Sequence, residues 1–457
     1  MTTAAERLAE FASGLTFEDI PRPVISEAKQ HILDILGISL AASQLPYATM
    51  LSALVRQWGG KPESTVLVFG DNVPAPSAVL ANGSFSHGLD FDDTHTASIV
   101  HVSTGVVPAA LAVGEAVRAD GKALLTAIIA GYETVTRLGM AAPGKFHDRG
   151  YHATPLCGAF AAALTAGKLL GLGPDAMASA LGICGSQAAG IQAFLDDGSW
   201  TKRLHPGWAG HSGVVAAQLA GLGFKGPHTV LEGRFGLFNT HVGSEHFDPT
   251  RLTAGLGTTW ETLHISFKPY PCCHFNHAYM DAAQQLMQEH RFRVQDIADL
   301  ECIVPREEAP IVCEPPELKV APPTTYAALF SLPYCIAVLL VEGKAGLDEF
   351  SETKIRDRRI IEIAGRIRYR VGDVPEFPAS LPGWVRVRLQ DGRTFEKREP
   401  VNRGHPANPM ASAEIQAKFR DNASRTLPAA RVEAILQMVD HLEDLPRVAD
   451  LTALCVK

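Results

Sequence analysis

Ala153-Thr154-Pro155-Leu156-Cys157-Gly158-Ala159-Phe160-Ala161-Ala162-Ala163-Leu164-Thr165-Ala166-Gly167-Lys168-Leu169-Leu170 is the stretch on which the fold turns. It is apolar almost all round, yet Pro155, Thr165 and Lys168 interrupt it, and a membrane-spanning helix needs about 20 mostly apolar residues. It therefore reads as a buried helix. Its alanines and glycines let a neighbouring backbone come close. Pro174–Ala189 and Gly210–Leu222 share that composition, which marks all three as the centre of a helical bundle or a dimer interface. Outward from there the helical pattern continues. Pro21–Leu40 places Val24, Ala28, Ile32, Ile35 and Leu36 on one stripe, and Ser77–His87, Val106–Ala119 and Lys122–Gly139 follow suit. Strand-like runs are scarce in this part, Ser64–Leu67 being the best.

The pattern changes near Lys268. Asp299–Val304 reads as a strand, Tyr326–Val341 as a buried helix and Arg366–Val371 as a further strand. Trp384–Leu389 and Thr394–Arg398 flank Asp391-Gly392, a strong hairpin signature. After Pro400 the helical period returns through Ile415–Phe419 and Ala429–Leu442. The fold class expected is mainly α with an α+β insert. A large helical-bundle domain takes residues 1–266 and 400–457, and a smaller α+β lid domain takes 267–399.

The charge balance narrows the function. Over 457 residues the net charge is −8, which argues against nucleic-acid binding. It leaves an anionic substrate open, because charge in a cleft can oppose the global sign. Met1–Phe17 lacks the basic start and apolar run of a signal peptide, and no stretch reads as membrane-spanning, so a cytoplasmic protein is expected. The eight cysteines show no Cys-x-x-Cys pair. Reduced thiols are expected, with no disulfide framework and no zinc or iron–sulfur site. A Gly-rich dinucleotide fingerprint is also missing.

Four clusters concentrate chemistry. The first, Asn82-Gly83-Ser84-Phe85-Ser86-His87-Gly88-Leu89-Asp90-Phe91-Asp92-Asp93-Thr94-His95, is followed by His101. Three carboxylates within four positions repel one another unless they are solvated, paired or used. The block reads as a solvated helix end, a metal site, or a carboxylate orienting a histidine general base. The second is Gly150-Tyr151-His152-Ala153-Thr154, where the histidine is structural or catalytic. The third, Thr201-Lys202-Arg203-Leu204-His205-Pro206-Gly207, reads as a solvated basic turn or a carboxylate-binding site at a helix start. The fourth is Lys268-Pro269-Tyr270-Pro271-Cys272-Cys273-His274-Phe275-Asn276-His277, where the composition changes.

Taken together and in this order, these blocks resemble the signature of the MmgE/PrpD family, and Tyr326-Ala327-Ala328-Leu329-Phe330-Ser331 also fits. The family includes 2-methylcitrate dehydratase, cis-aconitate decarboxylase and iminodisuccinate epimerase. The resemblance implies a homodimeric enzyme with no metal and no organic cofactor, acting on a small polycarboxylate. It assigns Asp90, Thr94, His101 and His152 to catalysis, and Lys202 and Lys268, with Arg203 beside them, to gripping substrate carboxylates. Some decarboxylases carry a histidine where this chain has Cys273. Within the family a dehydratase of a citrate-like, 2-methylcitrate-type substrate is favoured, ahead of an epimerase, isomerase or decarboxylase of a related acid. A non-catalytic helical binding protein is the alternative from another class. Asp90-Phe91-Asp92-Asp93 also matches the D-x-D-D pattern of helical terpene cyclases. Those pockets need aromatic walls, and only 7% of this chain is aromatic.

Overall fold

The computed structural model describes residues 2–457. The chain divides into two compact units, one formed by residues 2–265 and 411–457 and the other by 266–410. The first is mainly helical and the second carries a mixed four-stranded sheet, as the hydrophobic periods require.

In the first unit the elements that build the interior are α1 (Arg22–Ala42), α2 (Ala75–Ser86), α3 (Ser103–Val117), α4 (Gly121–Ala141), α5 (Ala153–Leu169) and α6 (Thr201–Gly221). Every residue of α5 from Ala153 to Gly167 is buried, and α2 is buried along nearly its whole length. A helix without a polar face has no place but the interior.

Glycines set how close these helices come. A Cβ on Gly207 of α6 would lie 2.2 Å from Leu80 O and 2.4 Å from Ser84 Oγ of α2, and one on Gly83 would lie 2.8 Å from Gly207 Cα. The α2–α6 crossing is therefore backbone against backbone. Gly210 meets Val79 in the same way, so the two helices run antiparallel and the C-terminal end of α2 meets the start of α6. Gly213 abuts Ala159 O and Ala162 of α5, and Gly158 faces Ala209, which sets α5 and α6 in the same direction with their starts together. The small-residue segments thus pack on one another.

In the second unit α7 (His277–His290) and α8 (Leu332–Glu342) cover a sheet of β1 (Ile297–Val304), β2 (Ile367–Val371), β3 (Gly383–Leu389) and β4 (Thr394–Glu399). The order is β2-β1-β3-β4, parallel between β1 and β2 and antiparallel elsewhere. Val385, Val387 and Leu389 point inward, whereas Arg386 pairs with Glu396 and Glu301 on the other face. The hairpin turns at Asp391-Gly392, with Gly392 at φ +87°. The helix expected over Tyr326–Val341 is split into Thr325–Leu329 and α8. Pro333 cannot donate a backbone hydrogen bond, and the Ser331 hydroxyl accepts from Tyr334 N to start the second piece. Residues 400–410, grouped by sequence with the returning helices, cluster with the sheet-bearing unit. Phe267 N donates to Gly404 O and Ser380 Oγ donates to Pro400 O.

The return to the first unit begins with α9 (Ser412–Ala423) and α10 (Ala429–Asp440), with α9 packed on α1. Among the described residues no single helix is long and apolar enough to cross a membrane.

Gly207→Ala is expected to cost at least about 1–3 kcal/mol, because a Cβ there must push apart two backbones. Gly14→Ala, at the end of a helix with nothing within 4 Å of the added methyl, should be neutral or stabilise by about 0.5–1 kcal/mol. Unfolding midpoints of the two variants against the wild type check the contrast.

Candidate functional site

The antiparallel α2–α6 crossing carries the residues after α2, His87 to Asp93, to the first turn of α6. There Lys202 Nζ donates to Asp90 Oδ1 at 2.7 Å, both side chains buried. Asp90 sits at φ +52°, a left-handed conformation that a non-glycine residue seldom takes, and Ile99 at φ +53° is a second such position in the same loop. The loop is pinned by its own bonds. His95 N donates to Val100 O at 2.9 Å, and His95 Nδ1 lies 2.9 Å from Ser98 Oγ. Gly88 is required by closeness, since a Cβ there would overlap the Tyr47 hydroxyl at 1.8 Å.

All three carboxylates of the acidic block are buried, and each has a different cationic or histidine partner. Asp92 Oδ2 lies 2.9 Å from His87 Nδ1 and 2.6 Å from His101 Nδ1, so one oxygen serves two imidazoles. A nitrogen that close to a carboxylate oxygen must present its hydrogen, which leaves Nε2 of each ring as the second functional atom. Burial pushes the Asp92 carboxyl up, but the charges of His87 and His101 overcome it and hold the group well below the usual carboxylate range. Asp93 faces the interior. Its Oδ1 accepts from Ser103 N at 3.0 Å, its Oδ2 accepts from Ser103 Oγ, and His31 Nδ1 of α1 lies 2.8 Å away. The block is not a solvated helix end.

His152 stands at the start of α5. Its Nδ1 is 3.0 Å from His205 Nδ1 on α6, and its ring lies 5.9 Å from that of His87 and 6.1 Å from that of His101. His147 adds a fifth ring, 6.3 Å from His152. Burial, reinforced by the charges of His87 and Lys202, holds His152 well below the ordinary imidazole value. Burial with the same neighbours brings His205 down to about 4. These rings are neutral proton acceptors at pH 7. His101 is tied to α5 as well, because its backbone N donates to Thr154 Oγ1 at 3.1 Å.

Three helix starts meet here, those of α3 after His101, α5 after His152 and α6 at Lys202. The starts of α5 and α6 carry no side-chain cap, whereas the first N–H of α3, on Ser103, is already taken by Asp93. Their positive ends favour a negative ligand.

Of the residues singled out by sequence, Asp90, His101, His152 and Lys202 come together. Thr94 is half-buried in the same loop. Arg203 packs its guanidinium 5.3 Å from the centre of the Tyr47 ring. Lys268 belongs to the second unit, where it is buried. Sequence reasoning gave no separate role to Asp92, His87, His205 or His147. The first three lay inside quoted motifs, and only the fold reveals that Asp92 rather than Asp90 holds the histidines. A groove of about 680 Å³ elsewhere in the first unit, lined by Arg22, Lys29, Ile415 and Glu443, contains none of these groups. Its Lys29 is already bonded to Asp440 O and Glu443.

A buried set of imidazoles oriented by a carboxylate, beside an ammonium and helix N-termini, has the chemical means to transfer protons on an anion. Comparisons with known proteins identify the family. Residues 6–250 match the MmgE/PrpD N-terminal domain and residues 270–444 match the MmgE/PrpD C-terminal domain. This chain is a member of the MmgE/PrpD family. It is similar to the cis-aconitate decarboxylase-like protein oryM of Aspergillus oryzae, at 28% identity over 98% of this chain and 96% of the relative. The cis-aconitate decarboxylase of Aspergillus terreus is 27% identical over 98% and 94%, and that of Homo sapiens 29% over 99% and 95%.

The depressed histidines carry a pH signature. Burial brings His147 down to about 4 from an ordinary 6.5. The unfolded chain therefore takes up the proton first. This group's stabilising contribution is complete above about pH 6.5 and is lost as pH falls toward 4. Asp34, raised to about 6 by burial, acts in the opposite sense, so the test must be differential. Between pH 7 and 5 the wild type should lose on the order of 2 kcal/mol more than His147→Gln. That is a difference of roughly 2 °C in thermal midpoint for a chain of this size.

Proposed function

We propose that this protein is a cofactor-independent enzyme that moves protons at a carbon beside a carboxylate of a small tricarboxylic acid. The observation that carries the reading is the His87–Asp92–His101 arrangement with His152 opposite and Lys202 alongside. Dehydration, decarboxylation and epimerisation of such acids share one difficulty, the negative charge that builds up next to a carboxylate. Preorganised cations and helix N-termini lower that barrier most in a dry site. In this reading His101 and His152 exchange protons with substrate, Asp92 fixes the ring of His101, and Lys202 takes a carboxylate with Asp90 setting its position. Thr94 supplies a hydrogen bond, and Arg203 adds further cationic grip.

Dehydration of a citrate-like substrate is the first reading, supported by Cys273 standing where some decarboxylases have histidine. Decarboxylation of a cis-aconitate-type acid is the second, supported by the printed names of the relatives. One experiment separates them. The protein is incubated with citrate, 2-methylcitrate, cis-aconitate and iminodisuccinate in D₂O and followed by NMR. Loss of water with deuterium exchange supports the first, and release of CO₂ with deuterium incorporated into the product supports the second. Binding with neither exchange nor turnover would mean a binding protein and sink the proposal.

Substitutions sort the roles. Asp92→Asn and His101→Ala should each lower kcat by about 10²–10⁴ with little change in KM. Lys202→Ala should chiefly raise KM. Steady-state kinetics on the accepted substrate check the split.

We further propose that the working form is a homodimer. Trp200, Leu204 and Trp208 form one exposed stripe on α6, and exposed Trp58 lies against His211 of that helix. A second copy would cover this apolar strip. Light scattering should report twice the chain mass for the wild type and a shift toward monomer for Trp208→Glu.

A further inference from the structure

The histidine cluster has a second chemical property, independent of proton transfer. His87, His101 and His152 each offer one ring nitrogen, and the three nitrogens lie within 4.8 Å of one another. His87 Nε2 is buried with no hydrogen-bond partner, an uncommon state for an imidazole nitrogen. Behind the rings stands what a metal site requires in its outer layer. Asp92 takes Nδ1 of both His87 and His101, and His205 takes Nδ1 of His152, so the remaining nitrogen of each ring is Nε2. A carboxylate behind a histidine fixes the ring and raises its basicity toward a metal.

We propose that His87, His101 and His152 form a three-nitrogen site for a zinc-class divalent ion (zinc, cobalt or nickel), and that the ion inhibits the enzyme by occupying the proton-transfer groups. Imidazole ligands select these metals over magnesium or calcium. A second group, Asp90, Asp92 and His101, also lies within reach of one point. It is the weaker choice, because Asp90 is already held by Lys202 at 2.7 Å and Asp92 by two imidazoles. Lys202 opposes a cation electrostatically, but Asp90 and Asp92 bring two negative charges to the same place. Three of the thiols compete poorly. Burial raises Cys157, Cys313 and Cys455 to about 12, so the thiolate that would bind metal is scarce.

Binding does not depend on the proposed reaction; only the inhibition does. The test therefore reads binding first. The whole protein is titrated with Co²⁺, and the visible d–d bands and near-ultraviolet region are recorded. The expected result is one ion per chain, tetrahedral-type bands and no thiolate-to-cobalt charge transfer. Binding should be lost in His87→Asn, retained in Cys273→Ser, and weakened about 10–100-fold in Asp92→Asn, which removes only the outer carboxylate. His152→Ala, on a different helix, serves if His87→Asn does not fold. Zn²⁺ should displace Co²⁺ and abolish turnover of whichever acid is accepted, with activity restored by a chelator. No stoichiometric binding, a thiolate charge-transfer band, or binding indifferent to both His87→Asn and His152→Ala would overturn the proposal. Binding without loss of turnover would overturn the inhibition and leave the site.

Discussion

Three carboxylates within four residues can be buried only if each has its own partner, and that constraint organises the helical unit. Asp90 takes Lys202 from α6, Asp92 takes His87 and His101, and Asp93 takes His31 from α1 and Ser103 from the start of α3. An uncompensated buried carboxylate costs several kcal/mol, so the three pairings hold the surrounding elements to one arrangement. The glycine contacts make this possible. Only where α2 and α6 touch backbone to backbone does the loop after α2 come within reach of a lysine in the first turn of α6. Packing and electrostatics are here the same requirement seen at two scales.

The site inherits its character from that arrangement. Charges spent on pairing are not free for solvent, and the imidazoles around them are desolvated. The neutral rings of His152 and His205, beside an ammonium and the uncapped starts of α5 and α6, suit an anion that must gain or lose a proton. The global charge of −8 is no obstacle, because the local field is set by groups a few ångströms away. The left-handed backbone of Asp90 belongs to the same economy, in that strain at one residue is sustained by the ion pair and by the bonds that close the loop.

Much of this was legible in the residues. Uniform apolarity in Ala153–Gly167 could mean only a buried helix, and Asp391-Gly392 between alternating runs could mean only a hairpin. The four motifs named the family because their order along the chain is specific. What the residues did not disclose was pairing. Asp90, Asp92 and Asp93 are chemically identical in sequence, and nothing local says which of them faces histidines, lysine or interior. His31 lies on an apolar helix more than 60 residues before Asp93, so its role depends wholly on tertiary packing. The break at Phe330–Ser331 was hidden for a different reason: a hydrophobic period continues straight through it, and only the proline and the serine cap decide.

One contact in the first unit has a temporal meaning. Lys418 of α9 donates to Asp34 and to the carbonyl of Phe91, inside the acidic block, with its ammonium over the Phe91 ring. The brace on residues 90–93 thus comes from a residue made more than 300 positions later. During synthesis the ribosome must deliver the whole sheet-bearing unit before that lysine emerges. Until then Asp34 and the block have no cation from this quarter and a strong incentive to stay hydrated. The nascent helical unit is therefore expected to remain open around its own acidic block, and the last turn of translation to be the event that dries it.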